Sequence, residues 1–185
     1  LFSENKIHEI IHTTAIGKLN AVLKGIVGHD FPLVTISDAD VLFLNRWQSE
    51  TYDVFDAFPK AGAVSTTPNS KMVKHFTSSI FIDTLFSKKV QFSAVENPIA
   101  MQSFAESIGN LTFFKKVHLK KYVTVTSQNN TKAVIGAGHF VATYRGEIFN
   151  RIKNKYSNYS LGGDSEIAFL DKPVQENNLW RLSTI

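Results

Sequence analysis

The sequence predicts an α/β fold in which helices alternate with buried strands. Apolar side chains recur at helical spacing over residues 15–28, and the apolar, β-branched run that opens residues 31–44 is typical of a buried strand. A second helix is predicted over 47–58 and a second strand over 61–68. Within 133–149 we predict a strand broken by Gly136 and Gly138, followed by a second strand or turn that leads into a basic helix. A helix that leads directly into a buried strand is the building unit of α/β proteins.

The middle of the chain, residues 71–126, shows weaker periodicity. Helical spacing covers 76–86 and 99–108, whereas alternation of polar and apolar residues predicts a strand over 117–126. Together with the flanking elements, these segments predict one domain that spans residues 1–185.

Composition narrows the class of protein. The chain is 43% hydrophobic, which is enough for a sizeable core, and it contains no cysteine. Disulfides, thiolate metal sites and cysteine nucleophiles are therefore excluded, and a reducing compartment is favoured. No run approaches the roughly 20 apolar residues that span a bilayer, and the first residues lack the basic-then-apolar pattern of a signal peptide. We therefore expect a soluble, cytoplasmic protein.

The net charge of +4 is modest, but basic residues cluster around 115–121 and 145–155. Such clusters are usually solvated faces, and they can also bind phosphate, an anionic glycan or a membrane surface. Peripheral association with a membrane surface is therefore a second expectation for the location of the protein. Basic and aromatic residues interleave over 113–122, but no recognisable nucleic-acid motif accompanies them, so we expect no nucleic-acid partner.

Two aspartates, Asp38 and Asp40, follow the apolar strand at 31–36 and precede more apolar sequence. Carboxylates beside a core are costly unless they are compensated, and a divalent cation that bridges them to phosphate oxygens would compensate them. This Asp-x-Asp pattern is typical of metal-dependent sugar-nucleotide chemistry. The structural alternative is a turn or helix cap made by either aspartate.

A candidate phosphate-binding element precedes the aspartates. Gly17 and Lys18 stand near the start of the predicted helix at 15–28, where backbone N–H groups and a cation could meet a diphosphate. Every helix start offers free N–H groups, so Gly17 and Lys18 indicate a phosphate site only in combination with the neighbouring motifs.

The segment at 7–13 suggests a different chemistry. His8, Glu9 and His12 form a His-Glu-x-x-His pattern, and on a helix the two histidines could share a zinc ion while the glutamate acts as general base. On an extended strand the histidines would lie about 13 Å apart, too far for one metal. A zinc metallopeptidase is therefore a competing prediction that requires a helix here.

His139 follows two glycines, Gly136 and Gly138, in the interrupted strand. Glycines within a strand often mark a bulge or the close approach of a ligand, so His139 is a candidate contact for a phosphate or a hydroxyl group. A hydrogen-bonded structural histidine is the alternative.

Two acidic residues, Asp164 and Glu166, follow a pair of glycines and precede an apolar run of helical spacing. Acids at a helix start can cap free N–H groups and interact with the positive end of the helix dipole, which is a purely structural explanation. In a catalytic site, one of these carboxylates could act as a general base.

The order of these segments resembles the central block of the family 2 glycosyltransferases. In this sequence Gly17 and Lys18 open a helix, Gly25 lies within it, and a buried strand then ends in the Asp-x-Asp of residues 38–40. The resemblance extends over residues 16–169 and depends on the order and spacing of short motifs.

The resemblance implies a GT-A-like fold, with a mainly parallel central sheet flanked by helices in a Rossmann-like nucleotide-sugar-binding architecture. It implies inverting transfer of a sugar from a nucleotide-sugar donor to the hydroxyl of a glycan, a lipid-linked acceptor or another molecule. Asp38 and Asp40 would hold Mn²⁺ or Mg²⁺, with Gly17 and Lys18 at the diphosphate. Asp164 would be the general base.

Two departures from the family pattern affect these assignments. Asn20 lies nearer the Gly-Lys pair than the family asparagine does, which puts its role in doubt. Gly163 replaces the glutamate of the usual Glu-Asp pair, so Glu166 is the second candidate for the base at Asp164. The resemblance also implies that His139 and Glu166 contact the donor or the acceptor.

The family's first strand, which contacts the nucleotide base, would lie before Leu1, so we expect the chain to be a piece of a longer protein. Without that strand, a non-catalytic binding domain of the same fold is a third hypothesis beside the glycosyltransferase and the zinc metallopeptidase. Trp180 and Arg181, near the end of the chain, could close over a substrate or complete the core.

Overall fold

The computed structural model describes residues 4, 6–14, 16–150, 152, 156–158 and 163–185, in which helices pack against a mixed sheet. The helices are α1 (Lys18–Ile26), α2 (Trp47–Ala57), α3 (Ser78–Asp83), α4 (Pro98–Ser107), α5 (Glu147–Asn150), α6 (Gly163–Glu166) and α7 (Lys172–Glu176). The strands are β1 (Leu33–Ser37), β2 (Ala61–Ser65), β3 (Val90–Ala94), β4 (Lys121–Thr126), β5 (Lys132–Ile135), β6 (Val141–Arg145) and β7 (Trp180–Ser183). A 3₁₀ helix at Ser70–Lys74 follows β2, and a π-helical turn at Ile167–Asp171 joins α6 to α7.

The strand order across the sheet is β1-β6-β2-β7-β5-β4-β3. Among the described strands, β2 and β7 form the one parallel pair, and the other neighbouring pairs are antiparallel. The prediction of a mainly parallel, GT-A-like and Rossmann-like sheet is therefore wrong. The coarser prediction of an α/β fold is confirmed, because helices and strands alternate along the chain.

Two features of the chain make the sheet mixed. Residues 127–131 join β4 to β5, which suffices for a hairpin but is far too short for the crossover that parallel strands need. β6 enters the sheet between β1 and β2 and runs opposite to both, with Thr143 opposite Thr35 on one side and Val64 on the other. Helical periodicity between two strands predicts a crossover, but it does not indicate which later strand enters between them.

Three strands nevertheless point in the same direction. β1 and β2 both run antiparallel to β6, and β2 runs parallel to β7, so the carboxyl ends of β1, β2 and β7 meet at one edge of the sheet. The amino end of β6 lies there too, since the Asp38 N–H donates to the Phe140 carbonyl (2.9 Å). The Thr184 N–H donates to the Ser65 carbonyl (3.0 Å) at the same edge. Residues that follow these three strands are consequently neighbours in space.

Helices cover both faces of the sheet. Ala63 and Val64 are adjacent in β2 and point to opposite faces, so they belong to two different cores. Leu23 of α1 packs in the core that contains Ala63, and Phe55 of α2 packs in the core that contains Val64. A smaller cluster beneath α4 contains Met101. No helix in the described part of the chain is long and apolar enough to cross a bilayer.

Most predicted elements are confirmed, and the errors lie between residues 71 and 126 and at β7, which was not predicted. The strand predicted over 117–126 begins only at Lys121, because turns precede it. β3 was not predicted; it is an edge strand whose Phe92 side chain is 73% exposed, so it lacks a clear buried pattern. Over 133–149 the prediction is confirmed: the broken strand, the second strand and the helix are β5, β6 and the short helix α5.

Candidate functional site

A cavity of about 590 Å³ opens at the edge where β1, β2 and β7 end. Asp38 and Asp40 line it directly after β1, and Thr66 and Thr184 line it after β2 and β7. The rest of the lining is largely apolar and includes Phe43, Leu44, Trp47, Phe104 and Phe140. A pocket with apolar walls and a few convergent polar groups is typical of a small-molecule site, and ligands commonly bind beyond the carboxyl ends of strands.

A second cavity, of about 220 Å³, adjoins the first and shares Asp38 and Phe140 with it. His139 and Glu166 line this smaller cavity, as does Asn69. The Asn69 side chain is 6% exposed, and its Oδ1 atom accepts no hydrogen bond from the described residues. A buried acceptor without a partner is costly, so a donor group of a ligand would be stabilised here.

Lys18 connects two carboxylates at this edge. Its Nζ atom lies 2.5 Å from Oδ1 of Asp38 and 3.1 Å from Oε1 of Glu166. Burial lowers the pKa of Lys18, but hydrogen bonds to the two carboxylates more than offset burial, and the net pKa is raised. Gly17, with φ of 80°, precedes the helix and turns the chain so that α1 starts with this lysine beside β1.

His139 lies between two further carboxylates. Its Nδ1 atom is 3.3 Å from Oε2 of Glu166, and its Nε2 atom is 2.6 Å from Oδ1 of Asp171. Burial opposes the charged form, but hydrogen bonds to Asp171 and Glu166 raise the pKa of His139 to about 9. Both ring nitrogens therefore carry protons at neutral pH, and His139 is a cation that cannot accept a proton from a substrate.

Glu166 has the opposite shift. The hydrogen bond from His139 is the main cause, and, although burial acts against it, His139 and Lys18 together lower the pKa of Glu166 to about 2. A carboxylate with so low a pKa holds a proton only weakly at neutral pH, which makes Glu166 a poor general base. Its position suits it to fix the two cations that flank it.

Arg181 ends this chain of charges inside the protein. The residue is fully buried, and its Nη2 atom lies 2.7 Å from Oδ1 of Asp171 and donates to the Ala137 carbonyl at 2.7 Å. Nη1 donates to the His75 carbonyl at 2.8 Å. Arg181 thus completes the core, which was one of the two predicted roles. The neighbouring Trp180 donates to Asp83 at 2.8 Å, away from the site.

Three anions and three cations alternate in the resulting charge network, so each charge has a partner of opposite sign. Its members are Asp38, Lys18, Glu166, His139, Asp171 and Arg181. Asp171 was not predicted as a site residue, and for Arg181 the sequence left open a role over a substrate or in the core. The signal available in the sequence was a lone acid within the apolar run at 167–174 and a lone arginine in the strand at 180–183.

Asp40 and Asp164 lie outside this network. Asp40 is exposed, lines the larger cavity and forms no ion pair with any described residue. Asp164 is also exposed, on the first turn of α6, and is absent from the residues that line the two cavities. The structure therefore brings Lys18, Asp38, His139 and Glu166 together with Asp40 at the rim, and leaves Asp164 apart from them.

Asn20 is a structural residue. It is buried, its Nδ2 atom donates to the carbonyls of Ile16 (2.8 Å) and Ser157 (2.9 Å), and its Oδ1 atom accepts from the Ser157 N–H (2.7 Å). These bonds fix the start of α1 to a distant segment of the chain and explain why an asparagine lies so near the Gly-Lys pair.

The residues of the zinc prediction lie on an irregular, exposed segment. His8, Glu9 and His12 are not helical, and Oε2 of Glu9 lies 3.3 Å from Nε2 of His29. The helix that would bring the two histidines onto one face is absent from residues 6–14. Within the described residues, no group of three or more His, Cys, Asp or Glu side chains is placed to hold a metal ion.

A divalent cation that is bound partly by phosphate needs fewer protein ligands. Mg²⁺ is commonly held by one or two carboxylates together with substrate phosphates and water. Asp40 forms no ion pair with a described residue, and Lys18 contacts only one oxygen of Asp38, so free carboxylate oxygens remain for such a cation.

Comparisons of this chain with protein-family models, with curated proteins and with solved structures find no match.

Proposed function

We propose that the protein transfers a sugar from a nucleotide-sugar donor to an acceptor hydroxyl, with inversion at the anomeric carbon. The observation that carries the proposal is the convergence of Asp38, Asp40, Lys18 and His139 at the edge where three strands of one direction end. Two adjoining cavities that share Asp38 leave room for a donor and an acceptor on either side of that residue.

A bound divalent cation would make this edge suitable for a donor that carries phosphate. Asp38 and Asp40 would hold Mn²⁺ or Mg²⁺, and the cation would supply charge stabilisation to the departing diphosphate. Lys18 and His139 are cations at neutral pH and are held in place by Glu166 and Asp171. Fixed cations do not need to reorganise when negative charge develops on a leaving group, so they stabilise that charge effectively.

We assign the proton of the acceptor hydroxyl to Asp164, as the family resemblance implies. Asp164 lines neither cavity, so this assignment requires the reacting hydroxyl to lie between the smaller cavity and the first turn of α6. The Asp164 carboxylate is exposed and lies on the first turn of α6, two residues before Glu166, which belongs to the charge network. Glu166 is excluded as the base by its low pKa, and His139 is excluded because it is already protonated. Each of the three residues therefore has a distinct role in the proposal.

The metal assignment is tested with Asp40→Asn. We expect Mn²⁺ together with one class among UDP-, GDP-, CMP- and dTDP-sugars to raise the unfolding temperature of the unaltered protein. At a ligand concentration 100 times the Kd, the stabilisation is about 2.7 kcal/mol. Asp40→Asn should lose the Mn²⁺-dependent part, because it removes the carboxylate that is not already paired.

Asp53→Asn is the matched control for that experiment. Asp53 is also an exposed aspartate, but it lies on α2 and away from both cavities, so its variant should keep the full shift. An identical Mn²⁺-dependent shift in Asp40→Asn would end the metal assignment. Nucleotide-sugar binding without any sugar transfer or hydrolysis would favour the non-catalytic binding domain instead.

A further inference from the structure

The surface around the end of α3 exposes an unusual amount of apolar side chain. Ile82 is 72% exposed, Leu85 is 70% exposed and Phe86 is 99% exposed, and Lys88 and Lys89 follow after one serine. We refer to these five residues as the α3 tip. Large apolar side chains that cluster on a surface commonly mark an interaction site.

The apolar residues of the α3 tip do not serve the core. The inward face of α3 is already occupied: Ile80 is fully buried, and the Ser79 hydroxyl donates to the Leu179 carbonyl at 2.8 Å. The Thr84 hydroxyl donates to the Ile80 carbonyl and closes the helix end. The backbone of the tip is therefore held by packing, while Leu85 and Phe86 project outward.

An apolar groove of about 610 Å³ lies between α3 and the edge strand β3. Phe81 of α3 lines it together with Phe92 and Val90 of the edge strand β3. Phe92 is 73% exposed, and the Nζ atom of Lys121 lies 5.9 Å from the centre of its ring. The exposed apolar surface thus continues from the helix to the edge of the sheet and is bordered by lysines.

The charge of this region has one sign. Residues 71–92 contain four lysines and one acidic residue, Asp83. Asp83 is already neutralised, because Nζ of Lys60 lies 2.7 Å from its Oδ2 atom and Trp180 donates to the same oxygen. Lys88 and Lys89 are therefore left without acidic partners in the described part of the chain. A surface that combines a projecting apolar tip with unpaired lysines is complementary to an anionic bilayer surface.

We propose that the α3 tip inserts into the surface of an anionic phospholipid membrane, with Leu85 and Phe86 among the acyl chains and Lys88 and Lys89 at the headgroups. A projecting side chain that is 99% exposed suits a bilayer, in which lipids rearrange around it. A peptide partner would instead be expected to occupy the concave groove. The inference does not depend on the proposed glycosyltransferase activity.

The first test measures binding to vesicles of phosphatidylcholine with about 30% phosphatidylserine, by flotation. The double variant Leu85→Ser/Phe86→Ser should lower the partition coefficient by about 100-fold, because two large apolar side chains no longer insert. The double variant Lys88→Gln/Lys89→Gln should lower it by about 30-fold and weaken its dependence on salt.

Two controls match these variants. Lys115→Gln/Lys116→Gln removes the same charge from another exposed lysine pair, and Ile99→Ser removes an isoleucine that is 74% exposed on α4. Both should bind vesicles as the unaltered protein does. Failure to bind the anionic vesicles at low salt would overturn the proposal, and so would a loss of binding only in the Lys115/Lys116 variant. Unchanged unfolding temperatures would show that each variant is folded.

The second test locates the tip in the bilayer. Phe86→Trp should show a blue-shifted emission on vesicle binding and quenching by brominated lipid, whereas Ile99→Trp should show neither. The native residues Trp47 and Trp180 provide a common background that is subtracted with the unaltered protein. Equal quenching at both positions, or quenching at position 99 alone, would overturn the proposed orientation.

Discussion

At the scale of single residues, the candidate site is governed by fixed charges. Lys18 and His139 each contact two carboxylates. Hydrogen bonding to those carboxylates raises the pKa of both residues by more than burial lowers it, so both remain charged. Asp171 is 1% exposed and depends on Arg181, so removal of either partner would leave an uncompensated charge in the core. The buried ion pair of Asp171 and Arg181 therefore anchors the network, and Asp38 lies at its more exposed end.

The free energy of unfolding should depend on pH through His139. The pKa of this residue is raised in the folded protein from its ordinary value of 6.5 to about 9. Its stabilising contribution is therefore complete below pH 6.5 and is lost as pH rises through about 9, with an upper bound of about 3 kcal/mol. Urea unfolding at a series of pH values measures this loss.

His139→Gln provides the control for the pH series, because glutamine keeps hydrogen bonds but does not titrate. In that variant the decline between pH 6.5 and 9 should disappear. Glu166 affects stability at acid pH. Its pKa is lowered to about 2, so its contribution to the free energy of unfolding is present above pH 4.5 and is lost as pH falls through about 2. An unchanged alkaline slope in His139→Gln would contradict the assignment of that slope to this residue.

A further prediction at the residue scale concerns the proposed general base. If sugar transfer is detected, Asp164→Asn should lower kcat by at least about 100-fold and leave donor binding unchanged, because the side chain lies outside the network. Glu166→Gln should instead weaken donor binding, since Lys18 and His139 would both lose a carboxylate. Full turnover in Asp164→Asn would remove this residue from the mechanism.

At the scale of secondary-structure elements, β6 decides the arrangement of the site. It enters the sheet between β1 and β2, and its amino end brings His139 and Phe140 beside Asp38. At its other end, Gly146 allows a close crossing over the start of β1. A Cβ atom at Gly146 would lie 1.8 Å from the carbonyl oxygen of Phe31, which no side chain can tolerate without a shift of the backbone.

Gly146→Ala should therefore lower the free energy of unfolding by about 3 kcal/mol, because the start of β1 must move away from the new methyl group. Gly25→Ala is the matched control: it lies within α1, and nothing lies within 4 Å of its added Cβ atom. That variant should be more stable by about 0.5–1 kcal/mol. Equal effects of the two substitutions in urea unfolding would contradict the packing at Gly146.

At the scale of the whole molecule, the two proposed functions lie at opposite ends of β7. The candidate site lies beyond its carboxyl end at Thr184, whereas α3 is held at its amino end by Leu179 and Trp180. Substitutions in the α3 tip should therefore leave nucleotide-sugar binding unchanged, and substitutions at Asp40 should leave vesicle binding unchanged. The two experiments consequently test separate surfaces of one protein.

Part of the candidate site could be predicted because its residues follow strong local signals. Asp38 and Asp40 come directly after an apolar run, and Lys18 follows a glycine at a helix start, so local chemistry identifies them. Asp171 and Arg181 have no such signal, since one charged residue in an apolar segment does not indicate which distant residue it pairs with. The irregular segment at 6–14 shows the converse error, in which a His-Glu-x-x-His pattern suggests a helix that is absent.

The sequence by itself determined α1, β1, α2 and β2, because periodicity and glycine or proline boundaries are local properties of the chain. It did not predict β7, whose carboxyl end also borders the site. Only the tertiary structure decided that β6 separates β1 from β2, which makes the sheet mixed instead of mainly parallel. It also decided that Lys18 and His139 share Glu166, residues that the chain keeps far apart. Strand order and ion pairing depend on which distant segments pack together, and that choice follows from the total burial and hydrogen bonding of the folded molecule.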